Sequence, residues 1–472
     1  MKSNTKFFES VFAFLLAFLF AFSGCIMQSE TEPYTEAITE IASQATEASG
    51  DETIPLALTR GDVRMLCPAK LNDFEKEIIK RFNTTHEEQI RLVYAEEPSD
   101  YLPGDTPYWD AAIREDVDLY WISPPSDTAW VFGLHGLLMP LDKLMGDVLE
   151  KGDYWKPVLD ACRYRNELMI LPAFFEVWST AVPRVLYEKD PEAFASLIRF
   201  RDFILSLPDQ DFWFSSQSWL GNETGASIDY ESLTCDFRGD FLLCRELLEI
   251  GKTYRATHDE PVPDGVLDSE KWDYISRQSI MRCDSVGTAL QILSRELFEY
   301  GPYGEKGGMI LPFPGEKGSL LSVGYGAAVS QYAENLGTIK DFLSFLLSDE
   351  IMRMELDAPP LSLYTNPLYS RMPLSRYAFS ELVEYRYNEA MPGKNNERLM
   401  EVNEMVEGIT SYSPEGSLLY RAYIAAEQEI QTEAPASLEE IAACYEKHVI
   451  QYLGKYRDDI ATKKAVMENK GR

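Results

Sequence analysis

Between residues 62 and 135 strand-like and helix-like segments alternate, and this alternation limits the fold more than any other feature of the chain. Residues 62–67 (DVRMLC) are β-leaning. Over the next stretch Leu71, Phe74, Ile78, Ile79 and Phe82 recur on one helical face. Residues 89–94 (QIRLVY) and 117–122 (VDLYWI) read as two further strands. Pro124 and Pro125 interrupt the chain, and residues 127–135 return to a helical pattern. Strands alternating with helices predict an α/β fold, a largely parallel sheet with helices on both faces. Ligands of such sheets gather at the carboxyl ends of the strands. At 472 residues the chain exceeds one ordinary core, so two lobes are expected.

The segment ahead of this body has a different logic. Lys2 and Lys6 precede an unbroken apolar run from Val11 to Phe22 (VFAFLLAFLFAF). That run is too short for a hydrocarbon layer of about 30 Å, but it suits the apolar region of an export signal. Phe22-Ser23-Gly24-Cys25 follows and resembles a bacterial lipobox. The resemblance implies cleavage before Cys25 and a lipid on its thiol, with two acyl chains giving firm anchoring. From Gln28 to about Glu52 the chain is mostly Glu, Thr, Ser and Ala, and no Lys or Arg occurs between Lys6 and Arg60. Such a stretch buries too little surface to offset its ordering entropy, so a flexible anionic tether is expected.

Charge and side-chain chemistry narrow the function. A formal net charge of −33 repels phosphate backbones and anionic headgroups, which argues against a nucleic-acid partner. The seven cysteines contain no CxxC pair, and one of them, Cys25, is assigned to lipid. Only four histidines occur, His86, His135, His258 and His448, and none stands in a nucleophile-elbow context. No enzyme activity, cofactor or metal site is expected.

Four segments carry a resemblance. They are PAKLNDFEKEIIKRFNTTHEEQIRLVYAEE, VDLYWISPPSDTAWVFGLHGLLMPLDKLM, YRNELMILPAFFEVWSTAVPRVLYEK and MILPFPGEKGSLLSVGYGAAVSQYAENLGTIKDFLSFLLSDEIM. In this order they resemble the family 1 extracellular solute-binding proteins of ABC importers, the carbohydrate-binding type. Asn166 stands at the family's turn glycine, a position a turn tolerates. Residues 437–453 look like the family's closing helix, with Ser437 and Glu440 as a capping box.

The resemblance implies a two-lobed, periplasmic-binding-protein-like fold. Each lobe is a mixed, largely parallel sheet flanked by helices, joined by chain crossings near residues 172, 312–314 and 357–360. Residues 1–24 would be the signal peptide and 25–54 the tether. Lobe one would comprise 55–172 and 310–356, and lobe two 173–309 and 357–472. It also implies a monomeric, lipid-anchored extracellular receptor that captures a carbohydrate between its lobes and delivers it to the permease subunits of an importer.

Sugar recognition needs aromatic faces against C–H patches and acid or amide groups for hydroxyls. Loop and strand-end positions nominate Lys70, Trp121, Asp127, Phe175, Glu176, Trp178, Trp219, Asp284 and Tyr325 as ligand-binding residues. Glu176, beside aromatic neighbours, is the leading polar candidate, because a carboxylate there is costly without a ligand or a cation. Gly324 and Gly326 are read as openings for a ligand against the backbone. A glycan hydrolase using Glu176 with Asp284 or Asp127, a sensory receptor of the same fold, and a polyamine binder are the alternatives.

Overall fold

The computed structural model describes residues 58–95, 107–123, 127–206, 214–215, 227–247, 281–285, 308–312, 318–354, 371–382, 397–412, 420–432 and 437–469. All of them belong to the compact unit Leu56–Arg472. Cys25, the apolar leader, the acidic tether, Trp219 and the crossing near 357–360 lie outside the described residues.

The body opens as the sequence predicts. Strand β1 (Val63–Cys67) leads to helix α1 (Asp73–Thr85) and strand β2 (Ile90–Tyr94). Helix α2 (Pro107–Arg114), strand β3 (Leu119–Ile122) and helix α3 (Asp127–Leu134) follow. Strand β1 lies between β2 and β3 and runs parallel to both. Ile78, Ile79 and Phe82 of α1 are buried against this sheet, each contributing about 1.5–3 kcal/mol of apolar transfer. Leu71 is buried too, but it precedes the helix, because Asn72 caps it. The Asn72 side chain accepts from Glu75 N–H, and the Glu75 carboxylate accepts from Asn72 N–H. This capping box fixes where α1 begins.

A short hairpin of β4 (Arg163–Tyr164) and β5 (Glu167–Leu168) follows. Its central residues Arg165 and Asn166 both have positive φ, 51° and 69°. A two-residue hairpin loop requires that, and Asn tolerates it, so the missing glycine is accommodated.

Two long antiparallel strands then organise the molecule: β6 (Leu171–Pro183) and, later, β12 (Ser319–Val329). Between them come β7 (Phe214–Ser215), the hairpin of β8 (Ile228–Asp229) and β9 (Thr234–Cys235), β10 (Met281–Ser285) and β11 (Gly308–Pro312). After them come β13 (Met372–Pro373) and β14 (Ile409–Tyr412). The main sheet runs β2-β1-β3-β12-β6-β10-β7, with β11 and β13 also on β6 and β14 on β12.

The register shows why β6 and β12 matter. The end of β12 pairs with β3 (Gly326 opposite Ile122, Val329 opposite Leu119), while its start pairs with β14. The far half of β6 pairs with β10 and β11. The same two strands therefore tie the β1–β3 group to the β10, β11 and β14 group. Between their ends the pairing slips at Val323/Tyr325 and again at Tyr325/Ala327. Such irregularities bend and twist a strand locally.

Helix α4 (Leu336–Leu346) buries Ile339, Phe342, Leu343 and Leu346 as its periodicity predicts. The chain closes with α5 (Tyr420–Thr432) and α6 (Leu438–Asn469). Ser437 and Glu440 form the expected reciprocal cap of α6. The helix is far longer than residues 437–453, and its two halves have different neighbours. Tyr445 packs on Phe237, Phe241 and Tyr423. Farther along, Tyr456 packs on Trp109 of α2, Asp459 accepts from the Trp109 indole at 2.9 Å, and Lys455 pairs with Asp110 at 3.1 Å. The closing helix thus reaches the β1–β3 group as well as the region around residues 237–247. Among the described residues no helix is long and apolar enough to cross a membrane.

Candidate functional site

Where the pairing of β6 and β12 slips, polar and aromatic side chains meet in a connected series. It begins at the cap of α1. The buried Glu75 carboxylate accepts from the Trp121 indole N–H at 2.8 Å through Oε1 and from Asn72 N–H at 2.7 Å through Oε2. The Asn72 side-chain amide donates to the Tyr325 hydroxyl at 2.8 Å. The Tyr325 ring is fully buried, with Phe74 and Phe174 at 5.4 and 6.1 Å between ring centres. On that ring lies the guanidinium of Arg371, 3.8 Å from the centroid. At this distance a desolvated cation over an aromatic face gains about 2 kcal/mol.

Arg371 Nε is 3.5 Å from Glu176 Oε1, and the two side chains are only 10% and 16% exposed. The approach is not a hydrogen bond. Buried Nε and Nη1 of Arg371 have no hydrogen-bond partner among the described residues. Charge compensation is therefore in place while donors of the cation remain unsatisfied. A buried unsatisfied donor costs about 1–3 kcal/mol, so this arrangement favours any partner that can accept from it. A hydroxyl group both donates and accepts, and so can serve the acid and the guanidinium together.

The nominated residues separate into groups around this series. Glu176 and Tyr325 are in it. Trp121 touches it only from behind: it is fully buried and its indole N–H is taken by Glu75. Phe175 is likewise buried, stacked against Phe379 with ring centres 6.4 Å apart, and forms core rather than a cleft wall. Alternation explains that outcome, since neighbours on a strand face opposite sides. Lys70 is exposed in the turn after β1. Trp178 registers with Ser285 and Leu320, and Asp284 with Ser179, while Asp127 opens α3; the side chains of these three lie outside the described residues. Neither glycine of β12 faces open space. A Cβ on Gly324 would lie 2.4 Å from Arg371 Cδ, and one on Gly326 would lie 2.4 Å from the Leu171 carbonyl oxygen. Both glycines admit the protein's own atoms, which corrects the reading of them as ligand openings.

Sequence reading passed over Arg371, Asn72 and Glu75. Asn72 and Glu75 carry a recognisable signal, the N-x-x-E capping spacing just ahead of an apolar helical stripe. Arg371 carries none, because its partners Glu176 and Tyr325 are far away in the chain.

No protein-family model and no curated protein matches the chain. Solved structures do match over most of its length. The sugar-binding protein MalE from the phytopathogen Xanthomonas citri superposes with a TM-score of 0.52 at 11% identity, covering 84% of this chain and 98% of that one. An ABC substrate-binding protein from Listeria monocytogenes, in complex with cycloalternan, gives 0.48 at 14% identity over 84% and 99%. The GacH receptor of Streptomyces glaucescens, solved unliganded and with acarbose, gives 0.45 at 16% identity over 84% and 99%. The likeness to the first of these gives the fold: a two-lobed, periplasmic-binding-protein-like α/β architecture.

Proposed function

We propose that this chain is the extracellular substrate-binding component of an ABC importer, capturing a carbohydrate between its lobes and passing it to a membrane permease. The observation that carries this reading is the Glu176–Arg371 pair over Tyr325, set where the two long strands pass from one strand group to the other. An acid, a guanidinium with unsatisfied donors and an aromatic face are the groups a polyol needs, and their mutual neutrality suits an uncharged sugar. The described sugar-binding role of MalE, on the same fold, supports the same role here. Opening of the lobes would be a hinge motion about β6 and β12, and would admit the ligand to groups that are buried in this conformation. The lobes we infer are residues 55–172 with 310–356 and residues 173–309 with 357–472, with α6 reaching across.

Ligand binding stabilises the folded state by mass action, so a thermal-shift panel of malto- and manno-oligosaccharides tests the reading. A true ligand raises the melting temperature progressively with concentration. Glu176→Gln is expected to weaken that ligand roughly ten- to a hundredfold, the scale of a lost hydrogen bond to a charged group. Trp178→Ala is expected to weaken it as well. Unchanged affinity in both variants would remove the site. Absence of any binder in that panel, extended to uronates and polyamines, would remove the receptor reading itself.

Lipid anchoring through Cys25 belongs to the same proposal, supported by the apolar run and the small residues Ser23 and Gly24 before it. Cys25→Ser is expected to abolish incorporation of labelled fatty acid. Retention of the label by that variant would contradict the anchor.

A further inference from the structure

Helices α5 and α6 pack side by side, and one place on their shared face gathers three different metal-ligand types. Cys444 and His448 are four residues apart on α6 and so share a face. Glu429 meets them from α5, with His448 Nε2 2.8 Å from Glu429 Oε2. The thiol sulfur, an imidazole nitrogen and a carboxylate oxygen all lie within 4.8 Å of one another, and all three residues are half-buried.

We propose that Glu429, Cys444 and His448 form a binding site for a borderline-soft divalent cation, zinc above all, with a fourth position left for water. The donor chemistry selects the ion. Calcium and magnesium need six or more oxygens, whereas thiolate, imidazole and carboxylate together suit zinc. Zinc holds such donors at about 2.0–2.3 Å, so tetrahedral neighbours close to roughly 3.5 Å of each other. The three ligand atoms lie within 4.8 Å of one another, so binding needs only side-chain rotation that parts His448 from Glu429 and draws in the thiol. The ion takes the place of the His448–Glu429 hydrogen bond, and the thiol releases its proton to solvent on binding.

Lys447 is the competing cation. Its Nζ lies 2.8 and 2.9 Å from the two Glu429 oxygens. The Lys447 side chain is 56% exposed, so it can swing into solvent when a metal arrives. Occupancy would clamp α5 to α6. This inference is independent of the carbohydrate site.

Titration of the purified full chain with cobalt(II) tests it. The expected result is one saturable thiolate-to-cobalt charge-transfer band, removed again by added zinc. Cys444→Ser should lose the band, His448→Asn should weaken cobalt binding at least about tenfold, and Lys447→Met should strengthen it. His448→Asn, with circular dichroism as the control for folding, decides the matter if Cys444→Ser does not fold. Absence of a saturable band in the parent chain overturns the proposal. So does a band unchanged in His448→Asn, which would place the metal on another cysteine.

Discussion

Arg371→Met is expected to lower the unfolding free energy by about 3 kcal/mol, the lower end of the range for breaking a buried ion pair. The loss comes chiefly from Glu176, whose carboxylate is left nearly enclosed without its cation. Ligand binding should disappear in the same variant. Adding Glu176→Met is expected to restore most of the stability, because a buried pair exchanged for apolar side chains is close to neutral or even favourable. It should restore none of the binding. Urea midpoints and ligand-dependent thermal shifts on the single and double variants separate the two effects. If the double variant proved no more stable than Arg371→Met, the pair would not be the energetic unit described above.

Glu75→Ala should be nearly as damaging, at about 2–4 kcal/mol. Two separate losses combine. The Trp121 indole N–H becomes a buried donor without its acceptor, at about 1–3 kcal/mol, and the capping box of α1 opens, at about 1 kcal/mol. Glu75→Gln should fall between alanine and the parent, since its carbonyl can still accept from Trp121 while its NH₂ group faces the Asn72 N–H. Urea denaturation followed by tryptophan fluorescence measures both. A loss below about 1 kcal/mol for alanine would mean that Glu75 is not the keystone its contacts suggest.

The helical stripe of α1, the strand–helix alternation and the buried face of α4 were legible because each is a local period, and burial follows that period directly. A turn at Asn166 was expected from the resemblance alone, and the hairpin it closes with Arg165 came from the structure. Glu176 could be nominated because an acid beside aromatics asks for a partner. Its partner could not be, because Arg371 reaches Glu176 only through the tertiary fold. Trp121 and Phe175 mark the opposite failure. Aromatic residues near strand ends look alike in sequence whether they line a cleft or fill a core, and here a buried carboxylate and a stacked ring hold them inside. The four-residue spacing of Cys444 and His448 was passed over, and Glu429, which meets them, comes from another helix.

The reach of α6 has a consequence for how the chain comes to be folded. Trp109 is fully buried, yet part of what covers it is Tyr456 and Asp459, more than three hundred residues later. A ribosome delivers the β1–β3 group early and its lid last. Until that helix emerges, Trp109 has Phe132 beside it but lacks Tyr456 and the Asp459 acceptor for its indole N–H. Closure of so long a loop is entropically slow, and it leaves the early portion open while the rest is made. Closure of the β1–β3 group around Trp109 therefore waits on residues 456–459, which couples the packing of its early helices to the last long helix.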